Sequence, residues 1–286
     1  MRRKAGKNHR KQAEEHRLPE ETGYGAEERF PAGSSFRQYI FVIRELTGRE
    51  IKRKYARSYL GILWSVLNPL LSMAVMTMIF STIFKRNIEN YPIYYLTGSI
   101  FWSLFTEATN SAMTALVDNK SMLIKVRLPM EIFPLSRCFT AMTNFGYSLV
   151  AYTVMLFVSR IPFTPYMLMI FLYAGMLFLF ALGVGYFLSV LYTIFGDIKH
   201  LYSIMLTLLM YASAIFYPVE STSEMMQKII KSNPVYNYIA CARKCMLEAA
   251  MPDSAQWMKL FVWSIGMFLF GKIFFHKMRN RVLQKV

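Results

Sequence analysis

Few residues in this chain have the types and spacing for chemistry, and most of those fail on context. The run GMFLFGKI at 266–273 spells most of a phosphate-cradling loop, with Gly266, Gly271 and Lys272 in place. Such a loop needs a polar strand-to-helix turn and a hydroxyl after the lysine to hold magnesium. Ile273 stands where the hydroxyl belongs, and Met, Phe, Leu and Phe fill the loop, so the match is fortuitous. His9, His16, His200 and His276 are too scattered to gather a metal. Cys241 and Cys245 share a helical face beside Arg243 and Lys244, where a buried or lipid-facing thiol pair outweighs a redox or metal site. No Ser/His/Asp constellation is visible, and no residue is assigned a catalytic or metal-binding role.

One ionisable residue stands apart. Ser103, Glu107, Asn110 and Thr114 are spaced by four, three and four, which makes a polar stripe along one helix. The run is the weakest of the apolar ones, carrying Thr109 and Ser111 as well, and a carboxylate exposed to lipid costs roughly 2.5–3.5 kcal/mol on insertion scales. The stripe therefore faces either a water-filled conduit or polar groups on a neighbour, for which Thr143 and Asn144 are the candidates.

The elements that position this stripe follow from composition. The chain has 286 residues, 55% apolar and 16% aromatic, and a mean hydropathy of +0.29. Only 17% are charged, against about a quarter in a soluble domain. Three scattered cysteines exclude a disulfide scaffold, and the apolar content excludes disorder over most of the chain. A net charge of +16 would suit a nucleic-acid binder, but the apolar content does not. Apolar runs long enough for a hydrocarbon core about 30 Å thick lie near 64–84, 93–117, 138–158, 166–194, 201–219 and 258–275. About 60 polar residues precede the first run, unlike the layout of a cleaved signal peptide. With both termini on the cytoplasmic side, 25 of the 33 Lys and Arg fall on that side, the bias expected of a multi-pass membrane protein. The expected fold is all-α, with six transmembrane helices.

Residues 1–35 read as a disordered cytoplasmic tail, 36–60 as an amphipathic helix in the membrane interface, and 61–286 as the six-span domain. On the amphipathic helix, Phe36, Ile40 and Ile43 share one face, continued by Ile51, Tyr55 and Tyr59. Glu50 stands four residues before Lys54, the favourable order for a helical ion pair. Its basic residues either anchor it to anionic lipid or form a shelf for a lipid-borne phosphate. The stretch DNKSMLIKVRLPMEIFPLSR at 118–137 carries Leu123, Ile124, Val126 and Leu128 rimmed by Lys125, Arg127 and Glu131. This apolar knob either docks a partner or folds back on the bundle. Residues 220–257 suit an outer re-entrant helical pair with Asn233-Pro234 at the turn. Aromatics crowd the outer ends (Phe84, Tyr91, Tyr94, Tyr95, Phe101, Trp102, Phe216, Tyr217 and Trp257), as an interfacial belt or as platforms for sugar rings.

Four collinear segments carry a family resemblance across residues 36–280. IKRKYARSYLGILWSVLNPLLSMAVMTMIF resembles the approach to the first span of polysaccharide-exporting ABC transporter permeases. NKSMLIKVRLPMEIFPLS resembles their cytoplasmic coupling segment, FGDIKHLYSIMLTLLMYASAIFYP their fourth-to-fifth span junction, and NPVYNYIACARKCML their outer re-entrant region. The chain departs from the family's frequent Arg-Asp and Ser-Pro pairs at Gly196-Asp197 and Ser213-Ala214.

The resemblance implies a homodimer that exports a polyprenyl-diphosphate-linked glycan such as O-antigen, teichoic acid or capsule. ATP and magnesium would bind a separate ATPase subunit, with no cofactor on this chain. Leu123, Ile124, Lys125, Val126, Arg127, Leu128 and Glu131 would couple to that subunit, with Asp197 at a second contact. Arg53, Lys54 and Arg57 would meet the diphosphate, and Ser103, Glu107, Asn110 and Thr114 would line the conduit. Nucleic acid is not an expected partner. A drug or small-lipid permease is the nearest rival reading. A polyprenyl-phosphate enzyme is a poorer one, since it needs several clustered acid, base or metal-binding groups at membrane depth.

Overall fold

The computed structural model of the chain describes residues 36–56, 58–83, 90–125 and 128–285. The tail expected at 1–35, and Arg57, Phe84, Val126 and Arg127, lie outside the described residues, as does the Lys125 side chain. Among the described residues all regular structure is helical: α1 Phe36–Tyr55, α2 Leu63–Ile83, α3 Tyr91–Asp118, α4 Lys120–Lys125, α5 Ile132–Val158, α6 Met169–Ile194, α7 Ile198–Tyr211, α8 Glu224–Ser232, α9 Pro234–Leu247 and α10 Ser254–Lys285. Short 3-10 turns at Pro165–Leu168 and Val219–Ser221 precede α6 and α8.

Leu63–Phe80, Ile132–Val158, Pro165–Ile194 and Ser254–Lys285 are long and apolar enough to cross a membrane. Helix α3 has the length, about 42 Å at 1.5 Å per residue, but its polar stripe lowers its hydropathy. The run expected at 201–219 does not form one span. Helix α7 stops at Tyr211, about 21 Å long, and the chain turns through 212–217. The six expected crossings thus resolve into four apolar helices of span length, one polar-striped helix of span length and one short helix.

Helix α3 is the axis, packed most extensively on α5 and α6, with Ile93, Leu96, Phe101, Leu104, Ala108 and Leu116 fully enclosed. On its far side α6 packs along α10, and two glycines set how closely. A Cβ on Gly271 would fall on the carbonyl of Gly183, and one on Gly183 would fall on that of Met267. Glycine is required here by space. Gly271 of the loop-like GMFLFGKI run is thus a helix-packing residue. Helix α2 lies at the periphery and carries Pro69 in its interior. That proline lacks the N–H that would bond the Ser65 carbonyl four residues back. Ser148 of α5 donates to this freed oxygen at 3.4 Å.

A buried arginine organises the end where α7 breaks. Arg243 of α9 donates to the carbonyls of Ala214 (2.9 Å), Ile215 (3.1 Å) and Tyr94 (3.2 Å), and its guanidinium lies 3.5 Å from the Tyr94 ring centroid. Ala214 adopts a left-handed φ of 46°, so the break forms without the proline of the family's Ser-Pro pair. Asn233 supports it by donating to Ala212 O and Ser213 Oγ while its own oxygen caps α9 at Val235 N. Gly98 leaves room for the guanidinium, since a Cβ there would stand 2.6 Å from Nη2.

The nearby aromatics are not a lipid-facing belt. Tyr91, Tyr95 and Phe101 are buried, and the Tyr91 and Tyr94 hydroxyls donate to Phe216 O and Tyr217 O at 3.0 and 2.9 Å. Cys241 and Cys245 are buried as well, and burial pushes the Cys241 thiol up to about 12, which keeps it inert.

Two substitutions test this packing by thermal unfolding of the detergent-solubilised protein. Gly271→Leu should cost about 3 kcal/mol or more, because the obstacle is backbone. Arg243→Lys should also destabilise, by about 1–3 kcal/mol per carbonyl left unpaired, because Arg243 meets the three carbonyls through three separate nitrogens and an ammonium has only one. Wild-type melting of either variant would contradict the packing described.

Candidate functional site

The richest polar cluster lies where α1 meets α3 and α5, and it begins with the face α1 presents. Tyr39, Val42, Ile43 and Leu46 pack on the bundle at helical spacing, and Glu50 continues the same face. Of the apolar face expected in the membrane interface, Ile43 packs on the bundle while Ile40 and Tyr59 are exposed. The packed stripe ends in a buried carboxylate.

Burying Glu50 is tolerable because it is paired. Arg137 of α5, itself only 10% exposed, meets Glu50 Oε2 at 2.9 Å through Nη1. Its Nη2 donates to Asp118 Oδ2 at 3.1 Å. Arg53 adds a second contact to Glu50 at 2.8 Å from a more exposed position. Asp118 closes α3 with the wrong sign for a helix C-terminus, and Arg137 and the Thr114 hydroxyl (2.8 Å) offset it. Removing one partner of the buried Arg137–Glu50 pair costs about 3–5 kcal/mol, and the contact from the exposed Arg53 adds less.

Lys54 does not pair with Glu50 as the i,i+4 spacing suggested. Its Nζ reaches Glu107 Oε1 at 2.6 Å. The same oxygen accepts from Asn144 Nδ2 at 2.5 Å, while Thr143 donates to the carbonyl of Phe139 on its own helix. Tyr55 bonds the Ser65 hydroxyl and donates to Asn144 Oδ1 at 3.3 Å, which fastens the end of α1 to α2 and α5. Glu50, Arg53, Lys54, Glu107, Ser111, Arg137 and Thr140 line a cavity of about 250 Å³. Two groups of residues that sequence reasoning kept apart, the basic face of α1 and the polar stripe of α3, therefore meet in one site. In the stripe, Ser103 and Asn110 are exposed, while Glu107 and Thr114 are half-buried.

The residues expected to couple to an ATPase divide. Leu123 and Leu128 pack back on the core, with Met130 fully buried beside them. Ile124 is exposed and Glu131 half-buried at the start of α5. Asp197 is exposed in the turn between α6 and α7 and makes no side-chain cap. Alternation of α3, α5 and α6 along the chain puts this turn at the same end of the bundle as α4. Sequence reasoning missed Glu50, Arg137 and Asp118 as one site. A lone arginine six residues into an apolar helix was the available signal for Arg137.

A double-mutant cycle on Lys54→Met and Glu107→Gln, read by unfolding in detergent, should give a coupling energy of about 1 kcal/mol, the pair being partly exposed. Strict additivity would contradict the ion pair.

Comparison with known proteins agrees with this architecture. The family model described as ABC-2 type transporter matches residues 42–247. The O-antigen export system permease protein RfbA of Myxococcus xanthus is 27% identical over 252 residues, 87% of this chain and 96% of the relative. The protein of that name from Klebsiella pneumoniae is 27% identical over 215 residues, 74% of this chain and 83% of the relative. The polysialic acid transport protein KpsM of Escherichia coli is 23% identical over 227 residues, 77% of this chain and 85% of the relative. The matched region runs from the packed face of α1 through the end of α9 and contains the whole polar cluster. This chain is a membrane protein of the ABC-2 type transporter family.

Proposed function

We propose that the chain is the permease subunit of an exporter that moves a polyprenyl-diphosphate-linked polysaccharide across the bacterial inner membrane, driven by ATP hydrolysis in a separate subunit. The observation that carries this reading is the similarity over nearly the full length of permeases named for O-antigen export. The polar stripe of α3 supports it, because Ser103 and Asn110 are exposed on a helix of span length, where a conduit would use them. Helix α7 buries only Tyr202 and Leu206 and leaves Leu201, Ile204, Met205 and Leu208 exposed. That face suits a second copy of the chain across the conduit.

In this reading the permease has no catalytic residue, and both termini are cytoplasmic. ATP and magnesium bind the partner subunit. Ile124, Lys125, Val126, Arg127 and Glu131 contact that subunit, with Asp197 beside them, while Leu123 and Leu128 hold the segment to the bundle. Arg53 and Lys54 stand at the cavity with their carboxylate partners, and with Arg57 they would meet the diphosphate. An arriving diphosphate would compete with Glu50 and Glu107 for these cations.

Co-expression with its genomic neighbours should yield a stable complex with an ATP-binding protein. Lys125→Glu with Arg127→Glu should lose that complex and export while leaving the bundle's melting temperature unchanged. Failure of the wild-type chain to capture any ATP-binding protein would overturn the reading. Unchanged export in the double variant would remove the coupling assignment.

A further inference from the structure

Helix α10 carries an exposed stripe that changes character along its length. Phe261, Ile265 and Leu269 leave about half of their surface uncovered, outside the face that packs on α6. By further steps of three and four residues the stripe continues through Lys272, His276 and Arg279, all exposed. At 3.6 residues per turn these three basic side chains fall within about 60° of one another. The other basic residues of this end, Lys277, Arg281 and Lys285, follow at steps of four on a different face. Membrane topology alone asks for a number of basic residues and for no particular face.

Depth singles out Lys272. No charged residue lies between it and Lys259, and the two are about 20 Å apart at 1.5 Å per residue. That is less than a hydrocarbon core about 30 Å thick. Lys272 therefore leaves the helix within the apolar layer and must carry its ammonium outward on its own stem. Ile273 beside it is 65% exposed, so its surroundings are lipid chains and not protein. Helix α10 contains no acidic residue, and among the described residues Lys272, His276 and Arg279 form no ion pair. The Phe268 ring, centred 5.8 Å from Lys272 Nζ, is a weak substitute. A cation at this depth without an anion is costly. A soluble partner cannot reach it, whereas an anion that arrives with its own apolar chains can.

We propose that Lys272, His276 and Arg279 hold the headgroup phosphate of an anionic phospholipid whose chains lie along Phe261, Ile265 and Leu269. Lys272 and Arg279 stand about 10 Å apart along the helix axis, with His276 between them. The phosphate sits at the level of His276, where cations from both sides reach its oxygens in charge-assisted hydrogen bonds. The lipid covers the open flank of α10 beside the close backbone contact of Gly271 with Gly183. The site is separate from the cavity of α1, α3 and α5, because α10 packs on the far side of α6. It goes beyond the permease reading and does not depend on what the chain transports.

The test is native mass spectrometry of the full-length protein in neutral detergent, titrated with phosphatidylglycerol or with phosphatidylcholine of the same chains. The dissociation constant of the first bound lipid is read. Phosphatidylglycerol should bind at least about tenfold more tightly than phosphatidylcholine. Lys272→Gln/Arg279→Gln should weaken phosphatidylglycerol about thirtyfold, roughly fivefold per cation lost, and leave phosphatidylcholine unchanged. Lys277→Gln/Arg281→Gln removes the same charge from the other face and should stay within about twofold of wild type. All four positions are exposed, so both variants should melt like wild type in lipid-free detergent. Equal weakening in the two double variants would reduce the effect to diffuse charge attraction and overturn the site. Unchanged binding in Lys272→Gln/Arg279→Gln would overturn it as well. Excess inorganic phosphate should leave the bound lipid in place; its displacement would reveal a bare anion site and contradict the lipid assignment.

Discussion

A guanidinium and a carboxylate removed from water must find each other with good geometry, or the structure that buries them does not form. The pair Arg137–Glu50 imposes this constraint on the end of the bundle where α1 meets α3 and α5. Glu50 is 7% exposed and would be prohibitive alone, so α1 can lie on the bundle only in the register that brings it to Arg137. Arg137 in turn has a second nitrogen to satisfy, and Asp118 at the end of α3 satisfies it. The positions of α1, α3 and α5 are thereby fixed against one another. The Lys54–Glu107 pair and the cavity follow from that docking.

The opposite end of the bundle obeys the same rule with different partners. Among the described residues no carboxylate accepts from Arg243, and its charge is met by three backbone carbonyls and a tyrosine face. Those carbonyls are available because α7 stops short and Ala214 turns left-handed. The break in the apolar run and the buried arginine are therefore one feature. Between the two ends, packing is apolar and close, and at Gly183 and Gly271 it brings backbone against backbone.

Much of this was legible in the sequence, and the misses share a cause. Apolar periodicity and length located the helices, and the spacing of Ser103, Glu107, Asn110 and Thr114 singled out the one polar stripe. Asn144 was foreseen as a neighbour of Glu107 because a polar residue at that depth needs a partner. What could not be read were pairings across long sequence separations. The local rule assigned Lys54 to Glu50, but tertiary packing gave Glu50 to Arg137, eighty-seven positions away, and freed Lys54 for Glu107. Likewise, the outer tyrosines suit a membrane interface by composition. Only the fold shows their hydroxyls turned inward onto the 212–217 turn. The end of α7 at Tyr211 was hidden because the residues beyond it are as apolar as those before.

The central claim is that one buried ion network docks α1 on the bundle. Hydrogen–deuterium exchange of the detergent-solubilised protein, compared between wild type and Arg137→Gln, tests it most directly. Loss of the network should raise exchange selectively in α1, Phe36–Tyr55, while the central turns of α3 and α6 stay protected. Unchanged protection of α1 in the variant would contradict the account.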